Sequence, residues 1–369
     1  MSGQDHKLSD VVEKNDREDV ESSGMDLAEE GRSASFLQQD EDLLFSRSIH
    51  EGVEVLKMED ALKKYPQAEA LYGKAFGKAK KEYPPRTSGG YFIRARKGQK
   101  IEMPVQACLY LKALGSKQRV HNLIVVEEGA ELYLITGCAA SKAAGESFHL
   151  GVSEFFVEDG GYLNFTMIHS WREDVSVRPM SVAVLGRDAN FISNYVCLKP
   201  VSDITMYPTA LLEGASSRAS FNSLIISHPD TVQDIGARVV FRGEQTKAEI
   251  VSRAVSYGGK VIARGHLKAE ERKIKGHLEC RGLVLTEKGI IHAVPELETD
   301  YRDVDLSHEA AIGKISRDEI EYLRSRGMSP EEAQSVIIRG FMDIEILSLP
   351  PRIKEEIEKM EEATLRSGM

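Results

Sequence analysis

Between Gly90 and about Val304 the chain repeats one pattern, a glycine-centred turn followed by an alternating apolar and polar strand. The turns fall at Gly129, Gly160, Gly186, Gly214 and Gly243, with separations of 31, 26, 28 and 29 residues. Stretches such as YFIRARKGQKIEMP, NLIVVEEGAELYLI and SEFFVEDGGYLNFTMI carry the period of two that marks strands, and helical patterning is scarce. A single strand-turn unit of this size cannot bury its own apolar face, so repeated units must stack. The spacing predicts a parallel β-helix in preference to a closed barrel. Its rungs bury Val, Ile, Leu and Phe inward, satisfy one another's backbone groups and tolerate loops of unequal length. Composition alone leaves an ordinary β-sandwich open.

Helical patterns flank this core. From Phe45 to Tyr83, Val53, Leu56, Met58 and Leu62 are followed by Leu71, Ala75 and Ala79, which predicts a small helical cap. Beyond Ile315, Ser316-Arg317-Asp318-Glu319 and Ser329-Pro330-Glu331-Glu332 read as capping boxes, and Gly327 reads as a left-handed stop between two helices. The expected architecture is mainly β, with a core at 89–304, an N-terminal helical domain at 46–88 and a C-terminal helical domain at 305–369. Residues 1–45 hold thirteen acidic and four basic side chains, which predicts a disordered, solvated tail.

Charge and cysteine usage exclude several function classes. The tail accounts for nearly all of the net charge of −10, and no basic stripe exists to meet nucleic acid phosphates. No apolar run is long enough for a membrane span, and MSGQDHKLSD does not read as a signal segment, so the expected location is the cytoplasm. Four cysteines, at 108, 138, 197 and 280, make neither a disulfide framework nor a CxxC pair. Nucleotide-binding and hydrolase motifs are absent, which argues against ATP binding by the chain itself.

Two constellations could carry chemistry. Cys280, in the strand-like HLECRGLVL, precedes Ser307-His308-Glu309-Ala310, after which the apolar spacing becomes helical. Cys280, His308 and Glu309 together offer soft, borderline and hard donors, a set that suits iron or zinc better than magnesium or calcium. Each also has a structural explanation: a buried thiol, a capping imidazole, a carboxylate favoured in the first turn of a helix. Cys138 ends a strand in ELYLITGCAASKAAGESFHL among small residues, with Lys142 the one nearby cation to activate it. His149, His169 and Trp171 come near it only if successive rungs stack in register; otherwise they are satisfied polar residues and a core filler. Cys108 and Cys197 alternate with apolar residues and read as structural.

The segments LSHEAAIGKISRDEIEYLRSRGMSPEEAQSVIIRGF, HLECRGLVL and LYLITGCAAS…HLGVSEFFVEDGGYLNFTMIHSW closely resemble the SufB/SufD family of iron–sulfur cluster assembly proteins, from about Gly52 to the last helix. The resemblance implies a right-handed parallel β-helix between helical end domains. It also implies a SufC-like ABC ATPase docked on the C-terminal helices, with ATP used only by that partner. On this reading Cys280 matches the SufB cysteine at the subunit interface, and His308 and Glu309 match its His-Glu pair. Cys138 matches the cysteine assigned to sulfur acceptance, with His149, His169 and Trp171 beside the route. The docking face falls on Tyr322, Leu323, Val336, Ile337 and Phe341.

Departures from SufB also stand out. Ser307 is SufD-like, His169 stands where SufB has Gln, and Tyr110 and Lys112 stand where it has Arg and Asn. Mixed SufB and SufD features suggest an archaeal-type chain that pairs with itself through the C-terminal region of its β-helix. The implied cargo is an iron–sulfur cluster, [4Fe-4S], passed to recipient apoproteins. Rival readings are a structural adaptor of the ATPase and a β-helix enzyme acting on carbohydrate, against which stand the scarcity of carboxylate clusters and aromatics.

Overall fold

The computed structural model describes residues 7–28, 30–82 and 87–342, together with 355 and 358. A parallel β-solenoid of about eight turns makes up most of the chain. One sheet carries eight parallel strands in chain order: Lys100–Leu111, Glu131–Ala140, Tyr162–Ser170, Asn190–Cys197, Arg218–Ser227, Lys247–Ser256, Lys275–Val284 and Asp305–Gly313. Ala34–Gln39 extends that sheet in parallel, and Asp42–Ser48 pairs antiparallel to it. The second sheet begins with Val53–Lys57 antiparallel to Tyr91–Ala95 and continues through parallel strands to Lys260–Ala269 and Ile290–Thr299.

The glycine repeat has two physical causes. Gly129 and Gly160 adopt φ of +66° and +67°, which side chains disfavour. Gly186, Gly214 and Gly243 instead stack on one another. A Cβ on Gly214 would lie 2.0 Å from the Arg187 amide nitrogen, and one on Gly243 would lie 2.5 Å from the Gly214 carbonyl oxygen. Between the turns, alternate residues point inward and form one core from Ala34 to Cys280. Phe155, Phe165, Phe191 and Phe221 stack along it with ring centroids 4.8–5.9 Å apart, so each rung holds the next in register.

Three expectations are corrected. The acidic N-terminal stretch folds: helices Leu8–Val11 and Arg17–Glu21 lie on the outer face of the first sheet, where Leu8, Val12, Val20, Met25 and Leu27 are buried with Leu37, Cys108 and Tyr110. Its charges find partners in the body. Asp16 accepts a hydrogen bond from the Tyr110 hydroxyl at 2.8 Å, and Lys112 pairs with Asp16 at 2.9 Å and Glu13 at 2.6 Å. A charge count could not see that these few apolar residues fall on one side.

The described N-terminal helices also do not stand as a body apart from the sheets. Met58–Lys64, Pro66–Leu71 and Lys74–Lys78 are too short to enclose a core, so Met58, Ala61, Ala68 and Phe76 pack onto Phe92, Leu123 and Val152 of the second sheet. Strand Val53–Lys57 lies within the span expected to be helical. At the other end, Asp305–Gly313 is the last strand of the first sheet rather than the start of a helix, because its pairing with Lys275–Val284 prolongs the solenoid by a turn. Helices Arg317–Ser325 and Pro330–Met342 follow; the remainder of the expected C-terminal domain falls almost wholly outside the described residues.

Both capping boxes form. Ser316 accepts from the Asp318 amide while Glu319 reaches the Ser316 amide, and Ser329 and Glu332 exchange bonds of 3.1 and 2.8 Å. Gly327 sits at φ +96°.

Candidate functional site

Strand Lys275–Val284 alternates strictly. Leu278 and Cys280 face the core, whereas His277, Glu279 and Arg281 face outward. The next strand pairs Leu278 with His308, Glu279 with Glu309 and Cys280 with Ala310. In a parallel ladder, paired residues share a face. Within one chain, therefore, His308 shares the inner face with Cys280, while Glu309 projects from the opposite one. The alternation of SHEA along a strand separates ligands that a helical reading would have let converge.

Because nothing covers the last turn among the described residues, His308 is exposed although it faces inward. Leu297 and Ile312 are likewise more than 40 % exposed, and they pair with the buried Leu267 and Gly282. Cys280 is 3 % exposed, and burial, helped by the Glu279 carboxylate, pushes its thiol up to about 11. A metal ion taken up there would have to displace a proton.

The structure does bring the second constellation together. Cys138, His169 and Cys197 are successive partners in the first sheet, and all three side chains face the core. His149 and His169 flank Trp171, with ring centroids 5.0 and 5.4 Å away. His149 Nδ1 bonds Gln118 Oε1 at 2.9 Å, and His169 Nδ1 meets the Tyr195 hydroxyl at 3.1 Å. Among the described residues, His169 Nε2 and Trp171 Nε1 have no hydrogen-bond partner. Burial drives His149 down to about 3 and His169 well below its ordinary range, the latter also repelled by His149, so both rings are neutral. Burial also raises the Cys138 thiol well above its ordinary value, with Cys108 adding to it. Cys138 is therefore a protonated thiol among neutral, weakly basic imidazoles, which do not hold a thiolate ready.

A void of about 20 Å³ touches Cys138, His149, Phe165 and Met167. A second, of about 30 Å³, shares Phe165 and Met167 and extends to Tyr195 and Ser252, the strand partner of Cys280. Each has room for about one water molecule. A wider groove, about 710 Å³, lies away from these groups, on the turns near Gln67, Phe156, Arg187 and Glu213.

Tyr195 and Cys197 escaped the sequence reading; only the register that puts Cys197 beside His169 reveals them. Tyr110 and Lys112 face outward beneath the N-terminal helices. Of the expected docking residues, Tyr322 is 59 % exposed, Leu323, Val336 and Ile337 are half-buried, and Phe341 leans on the apolar cluster that Ile338 and Met342 join on the first sheet. The Phe341 carbonyl accepts a 2.8 Å bond from Arg253, whose other nitrogen lies 3.9 Å from Glu279.

Residues 110–341 match the family model described as "SUF system FeS cluster assembly, SufBD core domain". An iron-sulfur cluster assembly SufBD family protein of Archaeoglobus fulgidus is 46% identical over 348 residues, covering 93% of this chain and 94% of that one. A SufBD family protein of Methanothermobacter thermautotrophicus (strain Delta H) is 40% identical over 352 residues, 93% of this chain and 86% of its own. The SufB of Bacillus subtilis is 31% identical over 277 residues, 74% of this chain and 59% of its own. With its solenoid, its inward Cys138 and Cys280 and these relatives in agreement, the chain belongs to the SufBD family of iron–sulfur cluster assembly proteins.

Proposed function

We propose that the chain is the scaffold on which a cluster is gathered, at the open end of the solenoid, in a complex with a SufC-like ABC ATPase. The observation that carries this reading is the uncovered last turn. It leaves inner-face groups, His308 among them, exposed beside the Cys280 thiol, and it presents apolar Leu297 and Ile312 to solvent. A second copy meeting this end in a homodimer buries that apolar surface and brings two sets of Cys280, His308 and Glu309 to one interface. Glu309 then acts across the interface rather than beside its own chain's thiol. Thiolate mixed with imidazole and carboxylate suits transient holding of a [4Fe-4S] cargo, because a recipient apoprotein's cysteines displace the weaker ligands.

Sulfur enters on this reading at Cys138 and passes along the core, by way of the small voids, toward Ser252 and Cys280. The chain is an assembly component and not itself an enzyme; ATP is hydrolysed in the partner, which docks on the helices that carry Tyr322, Leu323, Val336, Ile337 and Phe341. Arg253, bonded to the Phe341 carbonyl and close to Glu279, is the contact through which helix movement reaches the last turn. No helix among the described residues is long and apolar enough to cross a membrane, and a cytoplasmic site of assembly fits. Family membership sets aside the carbohydrate-active alternative.

The test is anaerobic reconstitution with iron and sulfide of the chain co-expressed with its ATPase, read by absorption and Mössbauer spectra. Wild type is expected to give a cluster signal that Cys280→Ser loses while the complex stays intact. No cluster in either protein, with the complex folded, would favour a structural adaptor.

A further inference from the structure

We infer that His277, Glu279 and Glu309 form a divalent-cation site on the outer face of the solenoid's last strands, and that its ion is ferrous iron awaiting incorporation. The identity of the ion rests on the assembly reading above; the site itself rests on geometry. One ligand atom from each residue lies within 4.8 Å of the others, and no other group of three or more such ligands occurs among the described residues. The spacing follows from the fold. His277 and Glu279, two apart on one strand, share its outer face, and Glu309 is the strand partner of Glu279.

The surroundings are those of a built site. His277 Nδ1 is held 2.9 Å from the Ser307 hydroxyl, which orients the ring and leaves Nε2 as the ligand nitrogen. Glu279 is only 15% exposed, and its Oε1 receives no hydrogen bond although Arg281 Nε lies 2.9 Å away and Arg253 3.9 Å away. Arg281 also lies 3.8 Å from Glu309, so one guanidinium stands between the two carboxylates. Arg281 is 41% exposed and can swing into solvent. A dication taking its place neutralises both carboxylates and gains three ligand bonds. An imidazole with two carboxylates selects borderline first-row ions over magnesium or calcium.

This site is chemically distinct from the thiol of Cys280, which lies on the opposite face of the same strand. It offers oxygen and nitrogen ligands where iron can wait without sulfide.

The test uses the full chain, anaerobic and without sulfide or ATPase, titrated with Fe(II) in competition with a coloured chelator and separately with Co(II), whose absorption reports its ligands. Wild type should bind one ion per chain with a spectrum free of thiolate charge transfer. Loss of a mere outer-shell partner costs about 10–100-fold in affinity. His277→Ala, Glu279→Gln and Glu309→Gln should therefore each lose at least about tenfold, with folding checked by circular dichroism. Arg281→Gln, which removes the competing cation, should bind more tightly, and Cys280→Ser should bind as wild type does. Unchanged affinity in His277→Ala and Glu279→Gln would overturn the proposal, as would thiolate bands that vanish in Cys280→Ser. Because sulfide is absent, loss of binding in the triad variants supports this site even if Cys280 proves dispensable for cluster formation, whereas a Cys280-dependent cluster beside unaffected triad variants refutes this site alone.

Discussion

Cys280 should behave as a strongly suppressed nucleophile until metal reaches it. Its side chain is 3 % exposed, and burial together with the Glu279 carboxylate raises the thiol from 9.0 to about 11. At pH 8 an ordinary thiol is about one-tenth ionised, whereas this one is about one-thousandth ionised. The hundredfold difference corresponds to about 2.7 kcal/mol against the thiolate. The assay is anaerobic alkylation by iodoacetamide between about pH 7 and 10, with modification of the Cys280 peptide followed by mass spectrometry. Shielding lowers the rate at every pH, while the pKa sets where it levels off. The rate should climb about tenfold per pH unit with no plateau by about pH 10. Levelling near pH 8.5–9, the range of an unperturbed thiol, would contradict a buried, suppressed Cys280. It would mean that the last turn opens in solution and exposes Cys280 to water.

Four further outcomes follow from the packing. Fully buried Glu154 accepts bonds from the Gly73 and Ala75 amides at 2.5 and 2.7 Å and pairs with His121 at 2.9 Å, so Glu154→Ala should cost about 3–5 kcal/mol in urea denaturation and loosen the short helices first. Gly214→Ala, whose methyl would meet backbone of the preceding turn, should cost about 3 kcal/mol or more. Gly129→Ala, with φ +66° but open space around it, should cost only about 1–2 kcal/mol in the same assay. Asp16→Ala removes the carboxylate that accepts from the buried Tyr110 hydroxyl and one of the two carboxylates paired with Lys112; it should lower stability by about 1–3 kcal/mol, with limited proteolysis cutting first within residues 7–27.

The parts of this fold that were legible in the sequence are those set by local chemistry. The spaced glycines mark turns because Gly129 and Gly160 need positive φ and Gly186, Gly214 and Gly243 need to stack without a Cβ. Ser316 and Ser329 announced two helix starts through side chains that reach only a few residues. What stayed hidden depended on register or on distant surfaces. The N-terminal helices fold because Tyr110 and Lys112, some ninety residues away, receive Asp16. LSHEAAIG carries an apolar spacing compatible with a helix, and only pairing with HLECRGLV makes it a strand and sends His308 and Glu309 to opposite faces. His277 and Glu279 were in plain view beside Cys280, but their convergence with Glu309 requires that same pairing. Cys197 read as structural until the ladder set it next to His169.

Whether this chain holds a cluster at Cys280 for delivery is decided by a transfer experiment. The reconstituted complex is mixed with an apo-ferredoxin-type recipient and an iron chelator in excess, and recipient absorption is followed in time. The loaded wild-type complex is expected to fill the recipient despite the chelator, and the Cys280→Ser complex, treated identically, is expected not to. Filling that the chelator abolishes, or equal delivery by the two complexes, would contradict a cluster held at Cys280 for delivery.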